Sequence, residues 1–255
     1  MVILSTSRKI FLGETMRVKA VIAYDGSHYF GFQKQKSTTQ TITYAIEKAL
    51  YSLGIKNDIT GSGRTDAKVH ASGQVIHFDV PIFWHDLKKL KQTLNQKLTD
   101  ISFKHITQVD TLFHARFSAK QRIYRYIFKT SSLSVFEKKY ISSYQVFNAL
   151  LLKEALKVFE GEHDFDYFRK QGTVTHTSIR TIYTTTYRKR GNYHFIYFTS
   201  NGFLRAQIRM MVAVVMAYAQ NKMTLNEIKQ QLACQKKIST SLAPPEGLYL
   251  AKILY

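Results

Sequence analysis

Acidic residues are what this chain has least of for its size: 17 Asp and Glu stand against 37 Lys and Arg in 255 residues, leaving +20 at neutral pH. That imbalance says little about fold and much about partners, which must be anionic. There is one cysteine, Cys234. It excludes an internal disulfide framework and any cysteine-based zinc site. The longest apolar run, Met210 to Ala219, is about half of the ~20 residues that a membrane-spanning helix needs. No long apolar segment or small-residue cleavage site opens the chain, so a secretory signal is not expected. Nine histidines occur, yet none stands at metal-ligand spacing with another, and no Walker loop or dinucleotide fingerprint is present. Neither a metal nor a cofactor is therefore expected.

Hydrophobic residues at 45% and charged residues at 21% are ordinary globular values, and the length suits one large or two modest domains. With no membrane segment and no amphipathic basic terminus, nucleic acid is the preferred anionic partner and the cytoplasm the expected location. Residues 1–15 differ in character from the rest of the chain and are expected to lie outside the fold. Only three prolines occur, two of them at Pro244-Pro245, and no low-complexity linker divides the chain.

Periodicity predicts strands over residues 17–24, 55–60, 74–80, 101–109 and 122–129. Helices are expected from Thr41 to Leu53, with Gly54 beyond the end, and after Asp86, with Leu87, Leu90, Leu94 and Leu98 on one stripe. The second half continues with a helix from Tyr144 to Phe159 ended by Gly161, then a hairpin of 180–189 and 193–200 through Arg190-Gly191-Asn192. Helices over 204–221 and 225–233 and a strand over 248–255 complete it. Strands joined mostly by short turns, with helices between, argue an α+β fold with a largely antiparallel sheet.

The most informative stretch is Gly61-Ser62-Gly63-Arg64-Thr65-Asp66-Ala67-Lys68-Val69-His70-Ala71-Ser72-Gly73-Gln74, with an alternating strand behind it. Glycines let backbone approach a ligand closely, so a glycine-bounded loop around one carboxylate reads as a site. Arg64, two residues from Asp66, is expected to hold that carboxylate ionised, as nucleophilic or electrostatic work requires. A turn braced by a structural salt bridge would use the same residues.

Phe113-His114-Ala115-Arg116-Phe117 and Arg122-Ile123-Tyr124-Arg125-Tyr126 interleave cations with aromatics. Cations contact phosphate and aromatic faces stack on unpaired bases, so the mixture suits RNA or single strands. On a strand, Arg122, Tyr124 and Tyr126 share one face. Arg205 and Arg209, four apart at the head of an apolar helix, are expected on one face and to need a carboxylate partner; Asp66, Asp164 and Glu246 all qualify. Asp164 with Asp166 reads as a loop more simply than as a metal-binding pair, and Trp84 and the methionines read as core.

These residues together resemble the TruA family of tRNA pseudouridine synthases. The resemblance runs through Tyr24-Asp25-Gly26-Ser27 with Phe30-Gly31-Phe32-Gln33, the Gly63-to-Val75 loop, Phe113 to Ala119, and Tyr124-Arg125-Tyr126. It continues through His163-Asp164-Phe165, Phe168-Arg169, Ile179-Arg180-Thr181, Phe203-Leu204, Arg209-Met210 and Glu246 to Leu250, in order from about Met16 to Tyr255. Two departures stand out: Lys68 and Ala213 occupy positions where the family usually carries glycine.

The resemblance implies two ferredoxin-like halves, residues 16–112 and 113–255, whose mainly antiparallel sheets join across a basic cleft, with residues 1–15 outside the fold. It implies a homodimer that isomerises uridine to pseudouridine in the anticodon arm of tRNA, usually at positions 38, 39 and 40, without a cofactor. Asp66 would attack C1′ or assist base loss, Tyr124 would lie against the flipped uracil and assist proton removal from C5, and Arg209 would pair with Asp66. Arg64 would help displace the flipped base. Phe113, His114, Ala115, Arg116 and Phe117, with Arg169, Gly172, Thr173, Val174, Thr175 and His176, would touch tRNA. A non-catalytic RNA-binding protein with the same cleft is the competing reading; a metal-dependent nuclease comes third, for want of a second carboxylate cluster.

Overall fold

The computed structural model describes residues 15–172 and 175–255. Burial alternates strictly along β1 (Thr15–Tyr24), whose even-numbered side chains from Met16 to Tyr24 are buried. Thr41 caps α1 (Ile42–Tyr51) by accepting the Tyr44 N–H. Thr60–Gly61 forms the two-residue β2, and β3 (His70–Pro81) leaves the glycine loop. Asp86 caps α2 (Leu87–Lys97), whose Leu90 and Leu94 are fully buried, and β4 (Ile101–Gln108) closes this part of the chain.

The remainder contributes β5 (Gln121–Lys129), the short β6 (Ser142–Ser143), α3 (Ala149–Lys157), β7 (Gly161–Asp164), β8 (Ile179–Arg190) and β9 (Tyr193–Ser200). Then come α4 (Gln207–Ala219), α5 (Leu225–Leu232) and β10 (Leu248–Leu254).

All the strands form one sheet in the order β4-β1-β3-β10-β5-β9-β8-β7, with β2 paired to β3 and β6 to β5. Pairing is antiparallel except between β3 and β10 and between β5 and β6. The α+β expectation with a largely antiparallel sheet is met.

The seam between β3 and β10 is narrow, two register pairs, His70 with Tyr249 and Ala71 with Leu250. Gly73 explains how the strands approach there: a Cβ on it would sit 2.3 Å from the Ala251 carbonyl oxygen. The last strand thus ties β1, β3 and β4 to β5, β9, β8 and β7, and the glycine loop enters β3 at that junction. One continuous buried cluster runs across it, including Val18, Ile22, Phe78, Tyr126, Phe128, Phe198, Met211 and Val215. No helix among the described residues is long and apolar enough to cross a membrane.

Three expected elements change. Residues 55–59 are not a strand: Ile55 and Ile59 plug the core, but the Ile59 N–H goes to the Glu47 carboxylate rather than to a neighbouring strand. The helix expected from Tyr144 starts only at Ala149, because Asn148 caps it through the N–H groups of Leu150 and Leu151. The helix expected from Leu204 starts at Gln207, since Ala206 before it is left-handed at φ 61°. Trp84 is half-buried at the edge of the core, its indole N–H bonded to the Leu53 carbonyl.

Candidate active site

The glycine loop is pinned by backbone and side-chain hydrogen bonds at almost every residue. Ser62 N–H donates to Val75 and its hydroxyl to Gln74 Oε1 at 2.6 Å, while Gln74 Nε2 returns to the Gly63 carbonyl at 2.8 Å. Tyr24 and Thr65 hydroxyls lie 2.8 Å apart, and the Thr65 carbonyl accepts from Phe32. Gly31, at φ +109°, passes so close that a Cβ would stand 2.9 Å from the Thr65 oxygen. After Asp66 the chain turns through a Val69 N–H to Asp66 carbonyl bond and enters β3 at the buried His70.

His70 fastens that turn to two other segments. Its Nδ1 accepts the Gly26 N–H at 3.1 Å, so the ring proton sits on Nε2, 2.9 Å from the Lys139 carbonyl. The ring stacks on Tyr249 at 4.7 Å, and Asp25 Oδ1 lies 3.3 Å away. Burial is the largest influence on this imidazole and pushes its pKa down.

The partner of Asp66 is Arg209. Its guanidinium lies 3.5 Å from the Asp66 carboxylate, whose side chain remains 29% exposed and so open to a substrate. Arg209 Nε donates to the Ala243 carbonyl at 2.7 Å, and the Ala243 N–H returns to the Arg209 carbonyl, which aims the side chain. The expectation that Arg64 holds Asp66 is corrected here: among the described residues Arg64 makes no ion pair, and it stands exposed on the loop. Of the three carboxylates that qualified for the helix arginines, the fold chooses Asp66. Arg205 does not share the face of Arg209, because it precedes the helix and is exposed.

Tyr124 projects from the middle of β5 toward this loop. Its ring is 7% exposed, meets Phe203 edge-on at 5.2 Å, and its hydroxyl lies 3.9 Å from where a Gly63 Cβ would be. No hydrogen bond holds that hydroxyl among the described residues. Burial, and after it the negative charge of Asp66, pushes the phenol pKa up, so it stays protonated. Asp66, Arg209 and Tyr124, far apart in sequence, meet in one place.

The rim residues divide. Ala115 is wholly buried, with its N–H on His77 Nδ1 at 3.1 Å and its carbonyl accepting from the Tyr255 hydroxyl at 2.8 Å. Phe113 is half-buried against Tyr255. Phe117 is 75% exposed, stacked on His114 at 4.3 Å, with the Arg116 guanidinium 5.6 Å from its ring centre. Arg169 is committed to Asp166, 2.6 Å away. Gly172 and His176 are exposed and Thr175 half-buried, whereas Thr173 and Val174 lie outside the described residues.

Sequence reasoning placed Arg122 in the cation–aromatic run expected to meet RNA, but gave no site role to Arg180, His77 or His70. The partners of the two histidines come from remote segments, which no local signal marks.

With this geometry in place, comparison with known proteins is decisive. The family model described as tRNA pseudouridine synthase matches residues 20–118 and 155–255. The chain belongs to that family. A tRNA pseudouridine synthase A of Helicobacter hepaticus is 37% identical over 243 residues, covering 93% of this chain and 98% of the relative. Its counterpart in Wolinella succinogenes is 35% identical, covering 92% and 93%. One in Geobacillus kaustophilus is 36% identical, covering 94% and 95%. Family members are isomerases, which agrees with a site built around one carboxylate rather than a nucleophile–base triad.

Proposed function

We propose that this protein converts uridine to pseudouridine in tRNA, within the anticodon arm at positions 38–40. The observation that carries the reading is the meeting of Asp66 with Arg209 beside the unpartnered Tyr124 hydroxyl. In the isomerisation the C1′–N1 bond breaks, the base turns, and C1′ bonds to C5; N1 gains a proton and C5 loses one, so no external nucleophile or redox partner enters.

Asp66 is the group that acts at the sugar, by attack on C1′ or by assisting base loss, with Arg209 orienting it. Tyr124 lies against the uracil. A phenol held protonated takes the C5 proton only as it hands its own on, so Tyr124 acts as a relay rather than a free base. The base must leave the helix, at a cost of a few kcal/mol. Exposed Arg64 fills the gap it leaves, while His114, Arg116, Phe117 and the 172–176 loop contact the arm. Phe113 and Ala115 support that surface from beneath, and Arg169 joins it only by releasing Asp166.

In this reading residues 16–112 and 113–255 are two ferredoxin-like halves and the active species is a cytoplasmic homodimer. The boundary expected after residue 15 is corrected by one position, since Thr15 opens β1 and pairs with Pro81, while residues 1–14 lie outside the described residues. The test is tritium release from 5-tritiated uridine in tRNA with chelator present. Release at positions 38–40 is expected. Tight tRNA binding without release would instead make the protein a non-catalytic RNA binder.

A further inference from the structure

Three arginines crowd one corner of the site with no carboxylate among them. Arg122, on β5 two residues before Tyr124 and on the same face, spreads its guanidinium over four backbone carbonyls: Ser62 at 3.3 Å, Arg116 at 2.7 Å, Ala119 at 3.3 Å, and Asn201. Arg180 enters from β8, donates to the Thr177 carbonyl at 2.9 Å, and lies along the Asn201–Gly202 turn, its Nε 3.5 Å from where a Gly202 Cβ would stand. Arg116 stands exposed, its carbonyl bound to Arg122. The turn that Arg122 and Arg180 share leads directly into Phe203, which edges Tyr124.

The charges feel one another. Arg180 is opposed by both Arg116 and Arg122, and Arg122 by Arg116, on top of the burial of Arg180 and Arg122. None of the three takes part in an ion pair among the described residues. Like charges gathered beside a partly buried site destabilise the free protein, and the arrangement persists because carbonyls from several segments hold it. An anion placed there relieves the repulsion and meets planar guanidinium forks, the geometry that favours phosphate.

We propose that Arg116, Arg122 and Arg180 form a seat for one backbone phosphodiester of the RNA, next to the nucleotide presented to Tyr124. Arg180 and Arg116 grip the phosphate, and Arg122 is the frame that joins the seat to the Ser62 end of the catalytic loop. Arg122 lies two residues, about 7 Å, along the strand from Tyr124, so a phosphate gripped by Arg116 and Arg180 against that frame fixes the reach of the adjacent nucleotide toward Tyr124. The inference rests on the RNA-modifying reading of the site.

The test is a binding cycle on tRNA carrying single neutral methylphosphonates at each position flanking the target uridine, with Arg180→Gln and Arg180→Lys. Affinity is measured by filter binding, so it does not depend on turnover; pseudouridine formation on unmodified tRNA is measured separately, and its failure alone overturns the functional reading. At one phosphate the neutral linkage should weaken wild-type binding about tenfold, yet weaken Arg180→Gln less than twofold further. Arg180→Gln should also lower the log–log salt slope by about 0.7–0.9, with Arg180→Lys restoring most of it. Losses that multiply independently at every flanking position overturn the seat. So does competition by inorganic phosphate at constant ionic strength without coupling to any RNA phosphate, which would make this a free-anion site. Melting temperatures within about 2 °C of wild type keep folding out of the comparison.

Discussion

Tyr124 and Tyr126 are neighbours on one face of β5, both buried, and the fold treats them oppositely. The Tyr126 hydroxyl lies 2.8 Å from Ser142 Oγ, 3.0 Å from the Pro244 carbonyl and 3.3 Å from the Tyr144 hydroxyl. The Tyr124 hydroxyl, beside the glycine loop, has none of these. Among the described residues only Arg125 Nε is a fully buried side-chain polar atom without a partner. The Tyr124 hydroxyl is reached by solvent, so it stays unbonded at little cost and is available beside the glycine loop. The same contrast separates Arg209, aimed at Asp66 by the Ala243 carbonyl, from Arg64, exposed and outside any ion pair among the described residues. One end of the strand is locked, and the other is left open beside charge.

The strongest way to break this contrast is at Asp66. Asp66→Ala should abolish pseudouridine formation while tRNA affinity stays within about tenfold, because one side chain is a small part of a phosphate-dominated footprint; substantial turnover by this variant sinks the mechanism. Tyr124→Phe removes only the unpartnered hydroxyl. Turnover should fall by about 10²–10⁴-fold with little change in melting temperature, and a rate within about threefold of wild type would leave Tyr124 as a stacking surface only.

Tyr126→Phe reverses the pattern. It orphans buried partners and should cost about 1–3 kcal/mol in denaturant unfolding, with turnover at saturating tRNA nearly unchanged. A large rate loss there, without a stability loss, would erase the distinction between the two ends of β5.

His77 gives the locked side a pH signature. Burial first, then His114 and Arg17 with Asp79 opposing them, lowers its pKa from 6.5 to about 4, and its Nδ1 accepts the Ala115 N–H. The unfolded chain therefore binds the proton more readily than the folded one. This contribution is complete above about pH 6.5 and is lost as pH falls toward 4. After solvent screening it is about 1 kcal/mol. His77→Gln should flatten that part of the stability–pH curve.

The smallest effect is at Lys68, exposed on the loop at φ 63°. A left-handed backbone strains any residue with a Cβ, an effect partly offset by the entropy that glycine loses on folding. Lys68→Gly should raise stability by about 0.5–1 kcal/mol, read as a higher denaturant midpoint. An unchanged or lower midpoint would show that the lysine side chain compensates its own strain.

Much of the fold is legible in local pattern. Alternation in β1 and β5, the Thr41 and Asp86 caps, and the leucine stripe of α2 follow from local rules, because each is a pattern of period two or 3.6 ended by a residue that satisfies free N–H groups. The failures were local signals overruled by remote ones. Ile55 and Ile59 are strand-like side chains, but the Ile59 N–H goes to the Glu47 side chain, and Leu204 to Ala206 lead into the α4 helix but are cut off from it by the left-handed Ala206.

The site divides in the same way. The chain by itself determined which groups the candidate site has to offer: one carboxylate in a glycine-bounded loop, a tyrosine on a strand face, and a large surplus of cations with no metal-ligand spacing. Only the tertiary structure decided which cation serves the carboxylate. Arg64 is two residues from Asp66 yet makes no pair with it, whereas Arg209 is brought to 3.5 Å by a helix that docks through Ala243. It also decided that Tyr124 would lack a partner while Tyr126 has three, and that Arg122 and Arg180 would share one turn. The reason is geometric: spacing along a chain fixes which side chains share a face, but partners across a sheet depend on register and on the narrow β3–β10 seam, which no local pattern encodes.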